Sequence, residues 1–216
     1  MTARAPFGRV LFIDDQDRVR YLELLANEVE QREWQVLTYC EMTNHVHLLI
    51  RTPEANLGAG MKSIHERFAT DLNRRHTQHG HVFGARFGSK LVRNDGHLHG
   101  CLRYIAHNPV KAGMCRSPTD WTWSAHRALL GIADPVACVD VEAALGFLGA
   151  NVGSARIAYQ RLVACSDEDL VRAGLASAVD DFGIPVAEAA KHLGLHVATA
   201  YRRLDAARRA GEAAPR

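Results

Sequence analysis

Cys40-Glu41-Met42-Thr43-Asn44-His45-Val46-His47-Leu48-Leu49-Ile50-Arg51 is the stretch on which the fold turns. Val36 and Leu37 before it, and Leu48, Leu49 and Ile50 within it, make an apolar run of the kind that forms a buried strand. Residues i and i+2 of a strand point to the same face, so His45 and His47 project side by side. That spacing suits two imidazoles sharing one divalent metal, with positions left open for a substrate oxygen. Two histidines on one face of an ordinary strand read equally well from this motif alone, because so short a spacing recurs by chance.

The flanks predict helices packed on an antiparallel sheet. Asp14 and Asp15 favour a helix start, and Val19, Leu22, Leu25 and Val29 are spaced for a helix over Gln16 to Arg32. Trp34 to Tyr39 reads as a strand preceding the histidine strand. Leu57, Met61, Ile64, Phe68 and Leu72 form an apolar stripe for a second helix, Leu57 to Arg75. Gly80 to Gly88 is a loop rich in aromatic residues, and Ser89 to Val92 reads as a strand. A third helix is expected from Gly96 to His107, stopped at Asn108-Pro109 because the residue before proline disfavours the helical region. Met1 to Gly8 reads as an irregular arm, and Arg9 to Ile13 as a short strand or an extended lead-in. Trp121 and Trp123 read as a packing anchor. The fold class is therefore α+β over residues 1–135.

Residues 136–216 read as all-helical, with acids at Asp140, Glu142, Asp167, Glu168 and Asp169. A short helix at Val186 to Leu193, a turn at Gly194 to His196 and a basic helix from Val197 to Arg209 fit a helix-turn-helix at about 184–209. Its second helix would present Arg202 and Arg203 to duplex DNA. A plain helical hairpin with a solvated basic face is the alternative.

The net charge of the 216 residues is only +2, but it is unevenly spread. Between Met61 and Arg116 ten basic residues face three acidic ones. That excess around the histidines suits phosphate contacts, for which Arg67, Arg74, Arg75, Arg86 and Lys90 are the candidates. Five cysteines without a Cys-x-x-Cys pair fit neither a zinc ribbon nor a disulfide framework. With no leader-like apolar segment and no run of membrane-spanning length, a soluble cytoplasmic protein is expected.

A second stretch adds chemistry: Cys101-Leu102-Arg103-Tyr104-Ile105-Ala106-His107-Asn108-Pro109-Val110-Lys111-Ala112-Gly113-Met114. Together with Asn44-His45-Val46-His47, Gly80-His81-Val82-Phe83 and Trp121-Thr122-Trp123-Ser124, it resembles the HUH single-tyrosine transposases. The similarity is to the IS200-like branch associated with repetitive extragenic palindromes, and it covers about Gly8 to Gly131. The resemblance implies a ferredoxin-like antiparallel sheet and a divalent ion, Mg²⁺ or Mn²⁺, on His45 and His47. It further implies Tyr104 as the nucleophile and Asn108, one helical turn later, as a third ligand, with His107 a weaker candidate. The implied substrate is single-stranded and hairpin DNA, cleaved and rejoined through a 5′-phosphotyrosine. Relatives act as dimers or monomers, so a homodimer is among the expected states.

Relatives usually begin with one more strand, for which this chain has little room. The first strand is expected to be truncated, leaving the histidine strand with an unpaired edge. Two rival readings follow: a catalytically degenerate DNA-binding protein, and a metallohydrolase that attacks with water.

Overall fold

Asp14 starts the first helix. Its carboxylate accepts from the backbone N–H groups of Gln16 and Asp17 while the Asp17 side chain accepts from the backbone of Asp14, a capping box. In the computed structural model α1 runs Asp15–Arg32 and ends at Glu33 in the left-handed region, φ 54°. The residues described are 1–165, 179, 186–192 and 195–212. They belong to two compact units, Met1–Lys90 with Ile105–Tyr159, and Leu91–Tyr104 with Gln160–Arg216.

The first unit holds a three-stranded antiparallel sheet. β1 (Thr2–Arg4), β2 (Gln35–Glu41) and β3 (His45–Arg51) lie in the order β1-β3-β2. The expectation of an irregular arm at Met1 to Gly8, and of an unpaired edge on the histidine strand, is corrected here. Thr2 pairs with His47, Ala3 with Val46 and Arg4 with His45. The first strand is short but present. Its three residues have no strand pattern of their own; the exposed donors and acceptors of β3 recruit them.

The expected strand at Ser89 to Val92 does not form. Only Gly88 bridges to Thr2, exchanging hydrogen bonds of 2.8 and 2.9 Å. The ladder of β1 reaches no further than Thr2, so residues 89–92 meet no partner strand. Arg9 to Ile13 is the extended lead-in, held where the N–H groups of Leu11 and Phe12 donate to Thr43 O at 2.9 and 3.3 Å.

α2 (Leu57–Arg75) buries Met61, Ile64, Phe68 and Leu72 against α1. On α1 the buried line is Arg18, Tyr21, Leu25 and Glu28, and Val19 of the expected stripe is exposed. Tyr21, Phe12 and Phe68 meet edge to face, with ring centroids 5.2–5.7 Å apart. Burying each such ring stabilises the fold by roughly 1.5–3 kcal/mol. α2 approaches Trp34 at Gly60, where a Cβ would stand 2.3 Å from the indole.

α3 (Asp95–Lys111) continues through Asn108 and Pro109 instead of stopping there. Pro109 falls in the last turn, where the loss of one helical hydrogen bond is tolerated. The end comes at Gly113, φ 70°, with Ala112 N donating to Asn108 O and Met114 N to Pro109 O at 2.9 Å each. α4 (His126–Leu130), α5 (Val141–Gly146) and α6 (Val152–Ala164) follow. In the second unit, Arg103 donates from Nε and Nη2 to Cys165 O at 3.1 and 2.7 Å. There α7 (Val186–His192) packs on α8 (Val197–Glu212), burying Ala189, Ala190, Ala200 and Leu204. Ile184, Gly194, Asp167, Glu168 and Asp169, which the sequence singled out, lie outside the described residues.

Candidate metal centre

Alternation along β3 puts His45 and His47 on one face, opposite Arg4 and Thr2 of β1, with Cys40 of β2 beside His47. The two rings stand 4.8 Å apart between centroids and nearly perpendicular, at 86°. Both side chains are buried, with 8% and 7% of their surface exposed. Each has one nitrogen fixed. His45 Nδ1 and Asn44 Oδ1 share a hydrogen bond of 2.6 Å, and His47 Nδ1 and Thr2 Oγ1 share one of 2.9 Å. Coordination would therefore come from the two Nε2 atoms. Such partners orient a ligating imidazole and raise its basicity.

Burial, helped by the charge of Arg4, lowers the His45 pKa to about 4. Burial, then His45, the terminal amine and Arg4, lowers that of His47 to about 3. Both rings are neutral at pH 7 and offer lone pairs, as a metal ligand must. Asn108, 9% exposed, acts on the His47 ring in the raising direction, against the larger lowering by burial. Two imidazole nitrogens, with the Asn108 carboxamide as a candidate third donor, would fit a divalent ion with open positions. Tyr104 lies four residues before Asn108 on α3 and is 41% exposed. Residues i and i+4 share a helix face. His107 acts on His126, whose pKa burial and His107 lower to about 4.

The opposite face of the sheet carries a group the sequence did not flag. Glu41 pairs with Val46, is 0% exposed, and neither carboxylate oxygen has a hydrogen-bond partner among the described residues. Burial pushes its pKa well above the usual carboxylate range, against the pull of Arg18. Arg18 donates to the backbone oxygen of Glu41 at 2.9 Å. Its guanidinium lies over the rings of Phe12, Trp121 and Trp123 at 4.9–5.4 Å. The expected aromatic anchor is therefore a cage for Arg18. Thr2 was likewise missed, since nothing local marks residues 2–4 as a strand. Asn44 stood beside His45 in the motif and could have been named from it.

The basic candidates divide. Arg67, Arg86 and Lys90 are exposed in the first unit, and Arg202 and Arg203 are exposed on α8 in the second. Arg74 is exposed and reaches Asp71 at 3.3 Å. Arg75 is committed internally: its guanidinium pairs with Asp14 at 2.5 Å and also with Asp17. His76 Nε2 adds a contact to Asp17 at 3.0 Å. Asp14, Asp17 and His76 are close enough to hold a metal, but Arg75 already neutralises both carboxylates, so the group reads as a clamp between α1 and α2. The Arg75 side-chain bond holds the Asp14 pKa down to about 2. No helix among the described residues is long and apolar enough to cross a membrane.

Residues 6–108 match the family described as transposase, IS200 like. A Haemophilus influenzae protein assigned as a REP-associated tyrosine transposase is 29% identical over 133 residues, 52% of this chain and 76% of its own. A solved structure of a REP-associated tyrosine transposase bound to a REP hairpin superposes with a TM-score of 0.54 and 15% identity. The match covers 64% of this chain and 88% of that one. At that identity the superposition speaks for the α+β fold alone.

Proposed function

We propose, from the premise that residues 6–108 belong to the IS200-like transposase family, that the chain is a metal-dependent DNA strand transferase acting on single-stranded DNA at hairpins. His45, His47 and Asn108 would hold Mg²⁺ or Mn²⁺. When bound, such an ion supplies charge neutralisation at the scissile phosphate. Thr2 and Asn44 fix the imidazoles so that their Nε2 atoms are presented. Tyr104 is the nucleophile: its phenolic oxygen forms the new bond to phosphorus, and the bond from phosphorus to the 3′ oxygen breaks. The phenolic proton is lost, and the leaving 3′ oxygen gains one to become a hydroxyl. The 5′ end stays on Tyr104 as a phosphodiester, so the reverse step rejoins strands without a further energy source.

The observation that carries this reading is the pair of buried imidazoles on one face of β3, each with its Nδ1 engaged by a neighbouring side chain, Asn44 for His45 and Thr2 for His47. The solved relative bound to a REP hairpin supports hairpin DNA as the substrate class. Exposed Arg67, Arg86 and Lys90 would contact backbone phosphates, and Arg202 and Arg203 on α8 would contact duplex DNA. Arg75 is left out because its charge is spent on Asp14 and Asp17.

The test is a denaturing gel for a covalent protein–DNA adduct after incubation with labelled hairpin DNA and Mn²⁺. Wild type is expected to give the adduct, and Tyr104→Phe and His45→Ala are expected to lose it. A folded wild type giving none across several hairpins would sink the transferase. The exposed basic α8 would then favour the rival reading of a binding protein without catalysis.

A further inference from the structure

On the far side of β1 from the histidine strand, the loop that the sequence marked only as aromatic is pinned at two points. Gly84 N donates to Arg4 O at 3.0 Å, and Gly88 exchanges two hydrogen bonds with Thr2. Gly84 fits closely at the first pin, where a Cβ would stand 3.0 Å from the backbone of Pro6. Ala85, Arg86 and Phe87 arch between the pins and, with α2, wall a groove of about 800 Å³ that also takes in Lys62, His65 and Phe83.

The groove has an aromatic floor on a rigid base. His65 stacks on Phe83 with centroids 4.0 Å apart at 25°, and Phe87 meets His65 edge-on at 6.4 Å. Phe83 rests on buried Phe68 at 6.1 Å. Neither Phe83, Phe87 nor His65 is fully buried, so ring surface remains open to the groove. Burial keeps His65 neutral, lowering its pKa to about 4. The charges at the rim are Lys62 and Arg86 against one acid, Glu66, which sits 3.7 Å from Lys62. Arg86 forms no ion pair among the described residues. A flat aromatic surface beside the cation of Arg86, with Lys62 answered by Glu66, suits a planar, uncharged ring attached to an anionic backbone.

We propose that this groove binds one unpaired base of single-stranded DNA, stacked on the His65–Phe83–Phe87 floor, with the adjoining phosphate on Arg86. The inference rests on the reading of the chain as a single-stranded DNA enzyme and adds where the strand is gripped. It follows from the placement of β1, which engages His47 through Thr2 and anchors the loop through Gly88 and Arg4. A strand held at the histidines and a base held in the groove would be indexed by the same three residues.

The experiment is fluorescence anisotropy with the full chain. It compares a labelled single-stranded oligonucleotide with its counterpart carrying abasic sites throughout the unpaired segment. Phe87→Ala should weaken binding of the first by roughly 5- to 150-fold and leave the second unchanged. Phe87→Trp should restore the loss, which separates stacking from a packing defect. Arg86→Ala should reduce the salt dependence by about one counterion on both strands. Phe87→Ala acting equally on both oligonucleotides, or on neither, overturns the groove while wild-type binding preserves the wider reading. If wild type binds neither strand, both fall.

Discussion

Glu41→Gln isolates one buried proton. In the folded protein Glu41 is wholly buried with no partner for its carboxylate among the described residues, and burial raises its pKa well above the ordinary value. In the unfolded chain it titrates near ~4.3. Above that pH the unfolded state releases the proton and the folded state keeps it. The folded state therefore binds more protons, and stability falls as pH rises, by about 1.4 kcal/mol per pH unit, until the folded pKa is reached. Glutamine has the same shape and no such slope. Other groups titrate in the same range, so the quantity to measure is the difference between variant and wild type. Urea unfolding, followed by tryptophan fluorescence at pH 5, 5.5, 6 and 6.5, gives that difference directly. It should grow in favour of Glu41→Gln by about 1.4 kcal/mol for each unit. A difference that stays flat would mean that Glu41 is ionised in the fold and that Arg18 compensates it fully.

Three further outcomes follow. Thr2→Val removes the hydroxyl that engages His47 Nδ1; Mn²⁺ affinity by calorimetry should fall about 10- to 100-fold with little change in Tm, and an unchanged affinity would discard the orienting role. Gly60→Ala forces a Cβ within 2.3 Å of Trp34, whose indole donates to Asn56 Oδ1 at 2.6 Å; the overpacking should cost about 1–3 kcal/mol, and an unaltered melting curve would show that the indole moves aside freely. His65 and His126 are kept neutral by burial with pKa values lowered to about 4, so each contributes stability that is present above ~6.5 and lost as pH falls toward 4; His126→Gln, which can keep a bond to the Tyr159 hydroxyl now 2.9 Å away, should flatten that acid limb, and an identical limb would exclude His126 as a source.

Much of the fold was readable because its signals are local. α2 was legible from Leu57 to about Arg75, since its stripe of Met61, Ile64, Phe68 and Leu72 repeats cleanly. β3 was legible for the same reason, and so was the shared face of His45 and His47. What stayed hidden depends on partners distant in sequence. Thr2, Ala3 and Arg4 become a strand only because β3 offers them an edge. β2 runs on past the expected end at Tyr39 to Glu41, where Arg18 and the two tryptophans pack. Arg75 lies off the apolar stripe and read as an outward cation, yet Asp14 and Asp17, some sixty residues earlier, claim it. Asn108 was placed at a helix stop, whereas α3 runs on through Pro109 to Lys111 and keeps it as a helical residue.

The brevity of β1 gives the two histidines unequal fates on heating. Asn44 is the chain neighbour of His45 and travels with it, whereas Thr2 reaches His47 from a separate edge strand, held by a three-residue ladder, the Met1–Leu48 hydrogen bonds and the bonds of Gly84 and Gly88. Short edge strands open at free-energy costs below that of global unfolding. His47 should therefore begin to wander while the helices and β2 still stand, giving the centre a softening temperature of its own. Loss of metal grip would then precede loss of structure, and cooling would reverse it.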